Sequence, residues 1–159
     1  MAQEIVMSFN ACGDCTACCE RFEIDGDIWN NNVKTKNVMC KYECNGCSIY
    51  EDRPEVCRDF KCVWLRIKEA RPDFSEQLRP DQVGAMVITK EPENNKGQIL
   101  IDECIKGAFD VNSMTDAQAE LVTEIATLAS RQDIPTSLYF RTYNWEMKKI
   151  NIQMEQTIT

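Results

Sequence analysis

The chain has 159 residues, and 18 lysines and arginines against 26 aspartates and glutamates leave a net charge of -8. With 43% hydrophobic residues it is one domain's worth of chain with enough apolar surface for a core, and its acidity argues against a general nucleic-acid binder, which needs clustered basic groups. It has no histidine, which excludes Ser-His-Asp and Cys-His catalysis and every imidazole ligand, and it has ten cysteines, so its chemistry is cysteine chemistry.

The stretch Met1 to Ser8 lacks the basic start and apolar run of a secretory signal, and no segment reaches the ~18 apolar residues that span a bilayer. A cytoplasmic protein that stays off the membrane is expected. In that reducing setting clustered cysteines read as metal or redox sites rather than disulfides. Nine of the ten lie between Cys12 and Cys62. This break in composition divides the chain into a cysteine-rich metal-binding module, residues 8–70, and a more ordinary part, residues 71–159, which share one compact unit. Arg71-Pro72 and Arg79-Pro80 punctuate the passage, because proline and its predecessor resist helix continuation.

The first motif is Cys12-Gly13-Asp14-Cys15-Thr16-Ala17-Cys18-Cys19. Two-residue spacing lets a turn present two thiolates to one metal. Read as extended chain, Cys18 and Cys19 point opposite ways, so they suit different metals, or one ligand and one packed thiol. Cys40 follows, and Cys44-Asn45-Gly46-Cys47 repeats the spacing around an Asn-Gly turn pair. Pro54 suits a helical first turn with Asp52 as cap, and Val56, Phe60, Val63, Trp64 and Ile67 then form an apolar stripe. In an unbroken helix Cys57 and Cys62 lie roughly 10 Å apart. Zn–S bonds of about 2.3 Å cannot bridge that distance. Either the helix breaks between them or they serve different sites.

Beyond the module, Gln82 to Thr89 and Gly97 to Asp102 read as strands joined by the polar loop Glu91 to Lys96. A helix is expected from about Asp116 to Arg131, with Leu121, Val122, Ile125, Leu128 and Ala129 on one face and a Thr115–Gln118 capping box. Leu138 to Tyr143 is aromatic and strand-like, and Ile150, Ile152 and Met154 alternate with polar residues as a last strand. The fold class is α+β, the cysteine-rich module packed on a small ββαββ-like part. Cys104, at a strand end, reads as a packed thiol.

The CxxCxxCC run, Cys40, and the segment Cys47-Ser48-Ile49-Tyr50-Glu51-Asp52-Arg53-Pro54-Glu55-Val56-Cys57-Arg58-Asp59-Phe60-Lys61-Cys62 together resemble the CxxCxxCC cysteine-cluster family, a zinc- or iron-chelating domain of the YkgJ type. The resemblance spans residues 12–62. It implies a metal or iron–sulfur centre held by Cys12, Cys15, Cys18, Cys19, Cys40, Cys47, Cys57 and Cys62. Cys44 and Cys104 fall outside the pattern, and Cys44 is a further candidate ligand because it shares CxxC spacing with Cys47.

Eight thiolates divide into two sets of four, which suits two zincs, two iron–sulfur clusters, or one of each. All-thiolate coordination admits both metals. Full deprotonation of the eight would double the negative charge of the chain, and Arg21, Lys41, Arg53, Arg58 and Lys61 stand in the module to offset it, unless they form a solvated face. The partners expected are metal ions and, for a structural or interaction module, another protein. The alternative is an iron–sulfur or iron-dependent redox enzyme, in which Asp14, Glu20 or Asp59 supplies an acid and Trp64, Tyr139, Tyr143 or Trp145 lines a pocket.

Overall fold

The computed structural model describes residues 12–24, 33–131 and 133–150, apart from the side chain of Glu91. Short helices α1 (Ala17–Arg21), α2 (Glu55–Asp59), α3 (Val63–Ala70) and α4 (Pro80–Val83) precede the strands β1 (Ala85–Glu93) and β2 (Lys96–Glu103); helix α5 (Asp116–Ser130) follows, then β3 (Thr136–Arg141) and β4 (Met147–Ile150). The mixed α+β class is as expected from the sequence, with the second part in the order ββαββ. Among the described residues no helix is long and apolar enough to cross a membrane.

One four-stranded sheet runs in the order β1-β2-β3-β4, antiparallel at both outer pairs and parallel between β2 and β3. The β1–β2 hairpin turns on Asn94 and Asn95, whose φ values of 51° and 58° match the left-handed pair of a type I′ turn. Parallel neighbours need a long crossover, and α5 lies within it. Its start carries the expected capping box: Thr115 Oγ1 accepts from the Gln118 backbone N–H and Gln118 Oε1 accepts from that of Thr115.

Alternation along the strands gives the sheet two different faces. Val87, Ile99, Ile101, Leu138 and Phe140 pack with Leu121 and Ile125 of α5, Trp64 and Leu65 of α3, and Phe109. On the other face Ile88, Lys90, Leu100 and Arg141 look toward the cysteine segments. The tie between those segments and the sheet is Arg21. It is fully buried; Nε and Nη2 donate to Asp102 Oδ1 at 3.1 and 2.6 Å, and the other donors reach Asn37 Oδ1 and the carbonyls of Thr142 and Tyr143. Arg141 completes the cluster with two bonds to Asp102.

Several boundaries differ from the sequence reading. The strand expected from residue 82 begins at Ala85, because Pro80 opens a helical turn that Gly84 ends at φ 77°. A Cβ on Gly84 would lie 2.5 Å from that of Ala108. The strand expected over 138–143 runs Thr136–Arg141, and a turn follows in which Trp145 N–H donates to the Thr142 carbonyl. The final strand is Met147–Ile150; Ile152 and Met154 lie outside the described residues. Asp52 does not cap α2, which starts at Glu55 after Pro54 with no side-chain cap. Val56 is 50% exposed and so leaves the expected apolar stripe.

Candidate metal centre

The CxxC turn closes with Cys15 N–H donating to the Cys12 carbonyl at 3.1 Å, and Gly13 takes φ 58° within it. Asp14 points outward to Arg79, 2.7 Å away, which pins the turn to the segment before α4. Cys18 and Cys19 are helical rather than extended, as members of α1, so their side chains diverge by about 100° instead of opposing one another. Their thiols still meet in a hydrogen bond from Cys18 to Cys19.

The remaining cysteines come from three other places. Cys40 N–H donates to the Cys19 carbonyl at 3.2 Å, which ties the second segment to α1. The Asn-Gly turn expected between Cys44 and Cys47 is present: Asn45 has φ 51°, Gly46 has φ 117°, and Glu43 pairs with Cys47. Gly46 is required there, since a Cβ would come within 2.8 Å of the Gly13 carbonyl oxygen of the first CxxC turn. Between Cys57 and Cys62 the helix breaks, one of the two outcomes the spacing left open. Phe60 and Cys62 take extended ψ values of 125° and 160°, so Cys57 rides on α2 and Cys62 caps the start of α3. Phe60 turns back onto Phe22, with ring centroids 5.1 Å apart.

These segments enclose an open cavity of about 460 Å³. Cys12, Cys15, Cys18, Cys19, Cys40, Cys47 and Cys57 line it. Cys62 does not line it and, like Cys12, packs against the sheet core. Cys44 is exposed on its turn, and Cys104 is buried with its thiol donating to the Pro80 carbonyl at 3.4 Å. Seven of the nine candidate ligands thus line one space, and Cys44 and Cys62 do not.

Burial dominates the protonation of these thiols. It pushes Cys12 up to about 11 and Cys15 up to about 12, and raises Cys40, Cys57 and Cys62. The bond it donates to Cys19 is the main cause holding Cys18 protonated. Cys19 goes the other way, down to about 7, because it accepts that bond and feels Lys34 and Arg53. A metal ion reverses this balance by competing with the protons directly.

The cations that serve the thiols are not the whole set the sequence offered. Arg53 acts on Cys12, Cys19 and Cys57, with its guanidinium stacked 3.6 Å from the Tyr50 ring centroid. Arg21 serves Asp102 instead; Lys61 pairs with Glu69, Lys41 lies over Tyr42, and Arg58 is exposed. Lys34 was missed in the sequence. It is buried, donates to the carbonyls of Glu20, Phe22 and Thr35, and acts on Cys18, Cys19 and Cys40. Its lone position in a polar stretch gives no pattern from which burial is read.

Of the other candidates, Asp14 and Asp59 are exposed, and Glu20 meets the Tyr143 hydroxyl at 3.4 Å. Trp64 belongs to the core, whereas Trp145 lines the cavity. The donor set suits a soft metal, all thiol and half enclosed. Among the described residues, however, no group of three or more cysteine, aspartate or glutamate side chains is placed so that it could hold a metal ion. No family profile, curated protein or solved structure matches the chain.

Proposed function

We propose that this protein binds zinc or an iron–sulfur cluster through its cysteines, as a cytoplasmic structural or interaction module whose other partner is a protein. The observation that carries this reading is the convergence of seven cysteines from four separate segments on one cavity. The resemblance of Cys12–Cys19 and Cys47–Cys62 to the cysteine-cluster pattern, read from the sequence alone, supports it. Residues Cys12, Cys15, Cys18, Cys19, Cys40, Cys47, Cys57 and Cys62 would hold the metal; Cys44, exposed and outside the cavity, is not among them.

A redox enzyme is the second reading, and one feature favours it. The cavity continues past the thiols to an apolar wall of Ile88 and Leu100 beside Trp145 and Arg141, and its volume falls in the ~300–1,000 Å³ range of small-molecule sites. Full-length protein purified without oxygen separates the two. Zinc with no visible absorption supports the structural module. Iron with labile sulfide and a brown colour supports the redox reading. Folded protein free of both metals refutes the two together.

A further inference from the structure

The geometry points to a binding site for an aromatic organic anion where the cavity meets the sheet, with the ligand's ring on an apolar wall and its charged group among the cations around it. This inference goes beyond the metal reading and does not depend on what the thiols hold.

Strand register builds the wall. Ile88 on β1 stands opposite Leu100 on β2, and both line the cavity. Residues two apart on a strand share a face, so Lys90 follows Ile88 on the same side, about 7 Å along β1. Toward the other end Asp102, two residues beyond Leu100, stands opposite Arg141 on β3, and Arg141 also lines the cavity. The apolar pair is thus bracketed along the strands by a cation at each end. Phe22, Tyr42, Tyr50 and Phe60 line the cavity from the cysteine segments, and Trp145 lines it from the turn after β3. Five aromatic rings meet here in a chain that is 8% aromatic. Offset and edge-to-face packing against such rings favours a flat aromatic guest.

The charge of the cavity is opposite to that of the chain. The whole protein carries -8, yet Lys36, Arg53, Lys90 and Arg141 line this space against Glu23 as its one carboxylate among the described residues. Arg141 donates twice to Asp102, and Arg53 donates from Nε to the Tyr50 carbonyl. Lys36 and Lys90 are exposed and form no ion pair among the described residues. An anion therefore meets two ammonium groups that have no carboxylate to give up, beside apolar surface that strengthens the attraction relative to open water.

Trp145 gives an independent sign. It takes φ 70°, a region that bulky side chains avoid, and its buried indole N–H has no hydrogen-bond partner among the described residues. Both features cost stability, and strain of this kind gathers at ligand sites. The guanidinium groups of Arg21 and Arg141 hold the ring, each 4.2 Å from its centroid, and the Lys36 ammonium lies 4.4 Å from it. The strained turn thus presents a flat ring and a lysine together at the cavity. At about 30 Å³ per water, the 460 Å³ cavity holds roughly 15 waters, which is room for a bicyclic ring and its charged group.

The test is isothermal titration calorimetry of the full-length chain, as purified, with 2-naphthoate and with its neutral counterpart 2-naphthamide. One naphthoate should bind per chain, at least about tenfold more tightly than the amide. The double variant Lys36→Glu with Lys90→Glu should erase that preference without lowering the melting temperature, since both side chains are exposed. Ile88→Trp, which fills the space before the wall, should weaken both compounds. Equal affinity for naphthoate and amide, an unchanged preference in the double variant, or no saturable binding to the wild-type chain overturns the inference. If the double variant melts early, Lys36→Gln and Lys90→Gln decide singly: each should weaken naphthoate and spare the amide, and unchanged affinity in both overturns the site. A chain that holds metal but takes no naphthoate overturns this inference alone, and a folded chain that binds naphthoate without metal overturns the metal reading alone.

Discussion

Arg21 shows how far a residue's role can sit from its neighbours in sequence. It lies two positions after Cys19, where a cation beside thiolates is the natural expectation, yet its guanidinium is fully buried against Asp102 on β2. Its five hydrogen bonds fix α1 to the sheet and to the turn after β3. Arg21→Ala leaves Asp102 buried beside Arg141 alone, and should destabilise the protein by about 3–5 kcal/mol in urea unfolding. Arg21→Lys should recover little of this, because an ammonium cannot reproduce the planar fork. A loss under ~1 kcal/mol for the alanine variant would mean the cluster is not the tie between the two layers.

Cys104 gives a residue-scale prediction of the opposite kind. Burial pushes its thiol up to about 12, against 9.0 for an ordinary cysteine. The folded chain therefore holds this proton more tightly than the unfolded chain. Its contribution to stability is complete below pH ~9 and is lost as pH rises from there toward 12. In metal-free protein, thermal melts should fall between pH 8 and 10.5, and Cys104→Ser, which does not titrate, should fall less. Equal slopes for the two proteins would show that this thiol does not hold its proton through burial. Cys104 was legible as a packed thiol from its place at a strand end; the burial of Arg21 and Lys34 was not, because each is set by distant carbonyls and by Asp102.

At the scale of elements, local rules succeeded where the chain carries explicit punctuation. The Thr115–Gln118 box and the polar run around Asn94-Asn95 mark the start of α5 and the β1–β2 turn by themselves. Thr115→Ala should cost about 1 kcal/mol by removing one cap acceptor. Asn95→Gly should raise the unfolding midpoint slightly, since glycine takes the positive φ of a type I′ turn without strain. A lowered midpoint would show that the Asn95 side chain does more than accept the turn. Periodicity failed at the second helix. A single stripe from Val56 to Ile67 hides two helices, because the break lies in the backbone of Phe60 to Cys62, where a strict 3.6-residue period continues by coincidence. The same limitation blurred the start of β1, where apolar Val83 belongs to a helical turn.

At the scale of the whole molecule, the α+β class, the order of the ββαββ elements and the set of cysteines were legible from composition and spacing. Their meeting on one face of the sheet was not. It depends on contacts between segments far apart in sequence, such as Gly46 against Gly13 and Arg21 against Asp102. The two layers differ in what holds them. One sheet face has an apolar core with α3 and α5, while among the described residues the cysteine segments contribute few buried apolar side chains of their own. Structural zinc contributes roughly 10–16 kcal/mol in small modules, comparable with a domain's total stability of ~5–15 kcal/mol. If the cysteines hold zinc as proposed, a chelator should therefore loosen residues 12–62 and leave the sheet protected in hydrogen exchange. Uniform loss of protection across both layers would contradict this division of labour.

The central claim is that the gathered thiols hold metal, and the most direct measurement is the mass of the intact folded chain. Native mass spectrometry of full-length protein, purified without added metal or oxygen, should give a species heavier than the acid-denatured chain by bound zinc, or by iron and sulfide. A folded native species with the mass of the bare polypeptide and ten free thiols would contradict it.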